Sequence, residues 1–307
     1  MPLDPVARQL LDDFIASGRP NAHLLPVEEA RANFEALFES LRPGESVATV
    51  ADHEIPVSGG AIPARSYTPS DEAGLPLVVY FHGGGWLLGS VESHDTVCRS
   101  LANAAKAVVL NVGYRRAPEW RFPTAVDDAW AATRWAHANA TALGADASRL
   151  AVAGDSAGGN LAAVVTQLAR DAVSPPIRFQ LLVYPVTTAD LAIGFDMEYE
   201  GYFLYYDELQ WHQEHYFSSP EDGFDPRVSP LLGNAHGLPP AQIQAAECDP
   251  LHAQAERYRD HLQAVGVDVD YRVYPGMIHG YFGLDSVFPI ARQAMDDAGA
   301  ALKVALA

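Results

Sequence analysis

Apolar positions along the chain follow two rhythms that change places at regular intervals. From residue 76 onward, short continuous apolar runs alternate with segments whose apolar residues recur every three or four positions. The runs PLVVYF (76–81), AVVLNV (107–112), RLAVAG (149–154), FQLLVYP (179–185), AQIQAAE (241–247) and VDVDYRVYP (267–275) read as strands. The intervening AVDDAWAATRWAHANA, AGGNLAAVVTQLARD and LHAQAERYRDHLQAVG read as helices. Strands apolar on both faces and separated by helices predict a mainly parallel sheet covered on each side, hence an α/β fold. Ahead of this region, VATVADHEIPV and AIPARSYTP form a hairpin through Ser58-Gly59-Gly60. DPVARQLLDDFIASG and PVEEARANFEALFESL, ending at Leu41, predict two N-terminal helices.

One interval breaks the alternation. More than fifty residues separate the strand ending at Pro185 from the next one, and they include the aromatic-rich stretch GFDMEYEGYFLYYDELQWHQEHYF. A long insertion rich in aromatics is expected to be ordered and functional. It reads as a cap over one end of the sheet, joined there by the N-terminal helices. The expected division is therefore cap helices in 1–45, a catalytic core in 46–186 and 221–307, and a cap insertion in 187–220.

Composition narrows the class. The 307 residues are 49% apolar, enough for a large core, and no run of about 18 apolar residues suggests a membrane span. The first residues lack the basic head and apolar run of a signal peptide, so a soluble, cytoplasmic protein is expected. Cys98 and Cys248 form neither a metal spacing nor a disulfide framework. A formal charge of −19 argues against nucleic acid and anionic membrane surfaces as partners. His212 and His215 share a helical pattern but lack H-E-x-x-H spacing, so no metal site is assigned.

The sharpest chemical signal is RLAVAGDSAGGNLAAVVTQLA, where Gly154-Asp155-Ser156-Ala157-Gly158 joins a strand to a helix. A serine there sits on a strained turn with its oxygen above the sheet, and the helix directs its free N–H groups at it. A phosphate loop would need a lysine that is absent. A serine nucleophile requires a base held by an acid, following it in the order Asp/Glu then His. His279 stands directly after the last strand, at the carboxyl end of the sheet where Ser156 also lies. Asp249, just after the preceding strand, is the expected acid. Taken alone it reads as the cap of the following helix; beside Ser156 and His279 the catalytic reading prevails, with Asp222 and Asp225 as the alternatives. His252 and His261 fall within a helix, as surface or packing residues.

The run VVYFHGGGWLLGS places three glycines at the end of a buried strand. Acyl transfer builds negative charge on the former carbonyl oxygen, which needs N–H donors about 2.7–3.1 Å away. Gly83 and Gly84 are the expected donors, with the N–H of Ala157 as the third, and His82 is expected to pin the loop by hydrogen bonding.

Together, His82-Gly83-Gly84-Gly85-Trp86, Gly154-Asp155-Ser156-Ala157-Gly158-Gly159-Asn160, Asp249-Pro250-Leu251, Ile278-His279-Gly280 and Tyr114-Arg115-Arg116-Ala117-Pro118-Glu119 resemble the hormone-sensitive-lipase (bacterial family IV) carboxylesterases of the α/β-hydrolase superfamily. The resemblance implies an eight-stranded, mostly parallel sheet with a helical cap. It also implies hydrolysis of short- to medium-chain acyl esters without metal or cofactor, on a Ser156–His279–Asp249 triad. Trp120 departs from the family, which more often has a smaller or polar residue there; a packing consequence is expected. The same triad would serve an amide or carbamate hydrolase, and a non-catalytic small-ligand-binding member of the fold is a further alternative. A long-chain lipase fits the acidic, tyrosine-rich cap poorly. The last strand, as a sheet edge, could pair across a homodimer.

Overall fold

In a computed structural model that describes residues 3–40 and 44–307, eight strands form one sheet. Leu41, the expected end of the second helix, lies outside the described residues. The strands are β1 (Thr49–Val57), β2 (Gly60–Thr68), β3 (Leu75–Phe81), β4 (Val108–Val112), β5 (Ala145–Asp155), β6 (Ile177–Val183), β7 (Ala241–Ala246) and β8 (Val269–Tyr274), in the order β1-β2-β4-β3-β5-β6-β7-β8. The hairpin β1–β2 and the β2–β4 pair are antiparallel; every pairing from β4 to β8 is parallel. Every expected strand is present, β5 beginning earlier than its apolar run. Its first residues, Asp146, Ser148 and Arg149 among them, are polar and join β3 through a register shift between Leu75 and Leu77. β8 is a sheet edge.

The central strands are buried on both faces, which is why their sequences do not alternate. In β3, Leu77, Val79 and Phe81 face one layer, which holds α4 (Thr124–Ala138), α5 (Ala157–Ala172) and α8 (His252–Gln263). Val78 and Tyr80 face the other, covered by α3 (Asp95–Ala105) and α9 (Pro289–Ala305). Two helices precede the sheet in sequence, α1 (Pro5–Ala16) and α2 (Val27–Glu39). α1 starts where the Asp4 carboxylate accepts from the N–H groups of Val6 and Ala7 and Pro5 opens the first turn. The Asp4 N–H donates to the Gly276 carbonyl at 3.0 Å, bringing α1 against the loop after β8. Between β6 and β7 lie the short α6 (Leu191–Gly194) and α7 (Tyr206–Tyr216). Both cysteines are buried and free. Among the described residues no helix is long and apolar enough to cross a membrane.

Register sets the site. Phe81 at the end of β3 pairs with Gly154 near the end of β5, so the glycine loop and the serine turn leave the sheet side by side. The segment after β4 braces that loop from behind. The Tyr114 hydroxyl donates to the His82 carbonyl at 2.9 Å, and its ring stacks on His82 with centroids 4.2 Å apart. Arg116 donates to the Gly89 carbonyl. From α2, Arg31 donates to the carbonyls of Leu87 and Ala117 and forks onto Glu119, both arms at 2.7 Å. Arg115 grips the buried Asp128 of α4 through its backbone N–H, Nε and Nη2 at 3.0, 2.9 and 2.6 Å. The same guanidinium lies 4.7 Å above the ring of Trp120, the packing role expected for that residue. Removing one partner of a buried ion pair costs about 3–5 kcal/mol. Asp128→Ala should lower the unfolding free energy in urea by about 3 kcal/mol. A loss too small to resolve would remove this pair as the brace of the segment.

Candidate active site

The backbone at Ser156 has φ 54° and ψ −117°, a conformation that costs a non-glycine residue about 1–3 kcal/mol. Close packing makes it obligatory. A Cβ on Gly154 would lie 2.3 Å from the Gly158 carbonyl, and one on Gly158 would lie 1.9 Å from the Phe81 oxygen. The two glycines flanking the serine therefore let strand and helix backbones touch. The Ser156 N–H donates to the Val183 carbonyl at 2.9 Å, locking the turn to β6.

The structure brings Ser156, His279 and Asp249 together. His279 Nε2 is 2.9 Å from Ser156 Oγ, and His279 Nδ1 is 2.8 Å from Asp249 Oδ2. With the carboxylate accepting at Nδ1, Nε2 is left to accept from the serine hydroxyl. All three residues are buried. Burial alone would push the His279 pKa down; the charge of Asp249 and its hydrogen bond outweigh this and raise it, with Asp155 and Glu208 adding. Asp249 Oδ1 accepts from the Leu251 N–H at 2.8 Å while Oδ2 meets the imidazole; the cap of α8 falls at Leu251, not at Asp249, because the helix begins only at His252. The alternatives are engaged elsewhere. Asp225 pairs with Arg227 at 2.8 Å, and Asp222 accepts from the N–H groups of Ser218 and Ser219 at 2.7 and 3.0 Å. His252 Nδ1 and His261 Nε2 donate to the backbone carbonyls of Ala246 and Gly233, packing positions as expected.

Gly83 is a correction. Its N–H donates to Asp155 Oδ1 at 3.0 Å and so is not free to meet an oxyanion. The same carboxylate accepts from the Tyr80 hydroxyl at 2.7 Å and lies 3.3 Å from His94 Nε2. Burial would raise the Asp155 pKa; the charge and hydrogen bond of His94 and the hydrogen bond from Tyr80 overcome it and hold the carboxyl below its ordinary range. Among the described residues no hydrogen bond uses the N–H of Gly84, Gly85 or Ala157. No feature of the sequence announces a bond between positions 72 residues apart.

Each glycine of the run is required by a different neighbour. A Cβ on Gly83 would meet Asp155 Oδ2 at 2.3 Å, and one on Gly84 the Leu88 carbonyl oxygen at 2.5 Å. On Gly85 it would meet the His212 ring at 2.3 Å, at a φ of +59°. His82 pins the loop as expected, its Nδ1 donating to the Gly83 carbonyl at 2.9 Å. Burial and the nearby His94 push its pKa down to about 3, so the ring is neutral. Of the aromatics in the insertion between β6 and β7, Phe203 comes against Gly280, the neighbour of His279, while Tyr199 and Tyr202 face each other. The two cap histidines part company: His212 covers Gly85, and His215 Nδ1 contacts the Trp211 carbonyl.

Gly85→Ala should therefore lower the melting temperature. His212→Ala in the same chain should restore most of the loss, leaving about 1 kcal/mol for the positive φ. Equal losses with and without His212 would contradict this steric account.

The sequence from 78 to 283 matches the family model described as alpha/beta hydrolase fold. The carboxylesterase NlhH of Mycobacterium tuberculosis is 42% identical over 99% of this chain and 96% of its own. The ethyl acetate hydrolase of Pseudomonas putida is 42% identical over 89% of this chain and 88% of its own. A hyperthermophilic esterase from the archaeon Pyrobaculum calidifontis superposes with a TM-score of 0.94 at 40% identity, covering 100% of both chains. With the strand order, the serine turn and near-full-length relatives in agreement, the chain belongs to the α/β-hydrolase family, in its hormone-sensitive-lipase-like branch.

Proposed function

We propose that the chain hydrolyses carboxylic esters with short to medium acyl groups through a Ser156–His279–Asp249 triad. The observation that carries this reading is the unbroken line of contacts from Ser156 Oγ through His279 to Asp249, at 2.9 and 2.8 Å. The carboxylesterases and esterases to which the chain is similar support the reaction class, and the relative named for ethyl acetate supports a short ester.

In this reading His279 Nε2 takes the Ser156 proton as Oγ attacks the ester carbonyl carbon. The carbonyl π-electrons move to oxygen, and the N–H groups of Gly84, Gly85 and Ala157 receive the oxyanion. Collapse expels the alcohol, which takes its proton from His279, leaving acyl-Ser156. A water deprotonated by His279 then attacks the acyl carbon, and the acid leaves as Ser156 regains its proton. Asp249 holds the tautomer and stabilises the imidazolium between these steps. Residues 1–45 and 187–220 form the cap in this account, and 46–186 with 221–307 the core. The division is supported by α7, which lies on the glycine loop through Tyr216 and His212. The β8 edge is the surface offered to a second copy, checked by particle mass in solution.

Ser156→Ala should reduce kcat on p-nitrophenyl butyrate by at least about 10⁴-fold, with the fold retained. Wild-type turnover surviving in that variant would remove Ser156 as nucleophile. The rate needs neutral His279, whose pKa lies above the ordinary 6.5. Activity in kcat/KM is thus present at high pH and lost as pH falls through this raised value. Asp249→Asn removes the group that raises it, so the acid limb should move to lower pH while kcat falls by about 10⁴-fold. An unmoved limb would contradict the assignment of Asp249.

A further inference from the structure

Helix α7 lays three side chains, one turn apart on one face, along the glycine loop. Tyr216 stacks on Trp86, the rings 4.4 Å apart and 5° from parallel. His212, one turn earlier, covers Gly85. The next turn carries Glu208 on the same face, and the charges of Glu208 and His279 act on each other.

Glu208 is an unusual group to find there. Its side chain is only 14% exposed, and among the described residues no hydrogen bond reaches its carboxylate. His212 Nε2 is 3.9 Å from Oε1, too far for a hydrogen bond. His212 itself is 5% exposed, and its Nδ1 is buried without a partner. Burial pushes the Glu208 pKa up to about 7, with His279 opposing, and the His212 pKa down to about 3. A sparsely solvated carboxyl on the helix face that covers the glycine loop penalises a hydrocarbon chain packed against it, which would strand it without a donor. A substrate group that donates a hydrogen bond satisfies it instead, and sites built this way reject the analogue lacking the donor.

We infer that Glu208, on the α7 face that His212 and Tyr216 lay along the glycine loop, determines specificity for esters carrying a hydrogen-bond donor, a hydroxyl or an ammonium group, near the ester bond. This deepens the ester-hydrolase reading and rests on it.

Two isosteric pairs test it, followed by acid release in a pH-stat. Ethyl 3-hydroxybutanoate against ethyl 3-methylbutanoate probes the acyl side, and 2-hydroxyethyl butanoate against propyl butanoate the alcohol side. Wild type should favour the hydroxyl member of at least one pair by about tenfold or more in kcat/KM. Glu208→Leu should collapse that ratio by about tenfold or more. Glu208→Gln preserves the shape and a neutral acceptor, and should lower it by about threefold to tenfold, which covers the case in which the leucine variant does not fold. Replacing the hydroxyl by an ammonium group should increase the loss in Glu208→Gln, because the charge is then part of the contact. Wild type hydrolysing all four esters with no hydroxyl preference, or both variants leaving the ratios within about twofold, overturns the role of Glu208 and leaves the esterase reading standing. Wild type hydrolysing none of the four, nor p-nitrophenyl butyrate, overturns the reading beneath it.

Discussion

The left-handed turn at Ser156 constrains everything built around it. Strand β5 and helix α5 meet so closely that the carbonyls of Phe81 and Gly158 occupy the space where Cβ atoms would stand. The cost of the backbone, about 1–3 kcal/mol, is offset by the packed layers on both sides of β5. Three things follow from the turn. The serine oxygen stands above the sheet within reach of His279. The N–H of Ala157 opens α5 without an intrahelical partner. Asn160, one turn into the helix, donates to the carbonyls of Val186 and Val228 at 2.9 and 2.8 Å, tying the entry and exit of the long insertion to the serine.

Asp155 connects the turn to the glycine loop. It collects the Gly83 N–H, the Tyr80 hydroxyl and His94, so the loop is anchored at its first glycine and open at the next two. Tyr114 holds the same loop through the His82 carbonyl, and α7 closes over it through His212 and Tyr216. Helix α7, from the insertion between β6 and β7, is thus in direct contact with Gly85 of the glycine loop.

Much of this was legible in the sequence because local patterns carry it. Short apolar runs marked the strands from β3 onward, Ser58-Gly59-Gly60 marked the hairpin before them, and Gly154-Asp155-Ser156-Ala157-Gly158 marked the serine turn, because each reflects contacts between near neighbours or a backbone shape. His279 and Asp249 were found from their places after consecutive strands of a parallel sheet. Gly83 was misread because the three glycines look alike in sequence, and their difference lies in a carboxylate from another strand. The early start of β5 was missed because Asp146 and Ser148 lie in the register shift between the Ala145–Leu75 and Leu150–Leu77 pairs and leave no apolar trace. Glu208 passed unremarked among the cap's acids. Its only signal was the spacing to His212 and Tyr216, which has meaning once α7 is seen to lie on Trp86.

The central claim is that the geometry activates one serine. Incubating the protein with a fluorophosphonate and mapping the adduct by peptide mass spectrometry addresses it directly, because only a serine with an adjacent base and an oxyanion site reacts rapidly. The account predicts stoichiometric labelling confined to the peptide carrying Ser156, with no adduct once His279 is replaced by alanine. Labelling of a different serine, or labelling that is indifferent to His279, would contradict it.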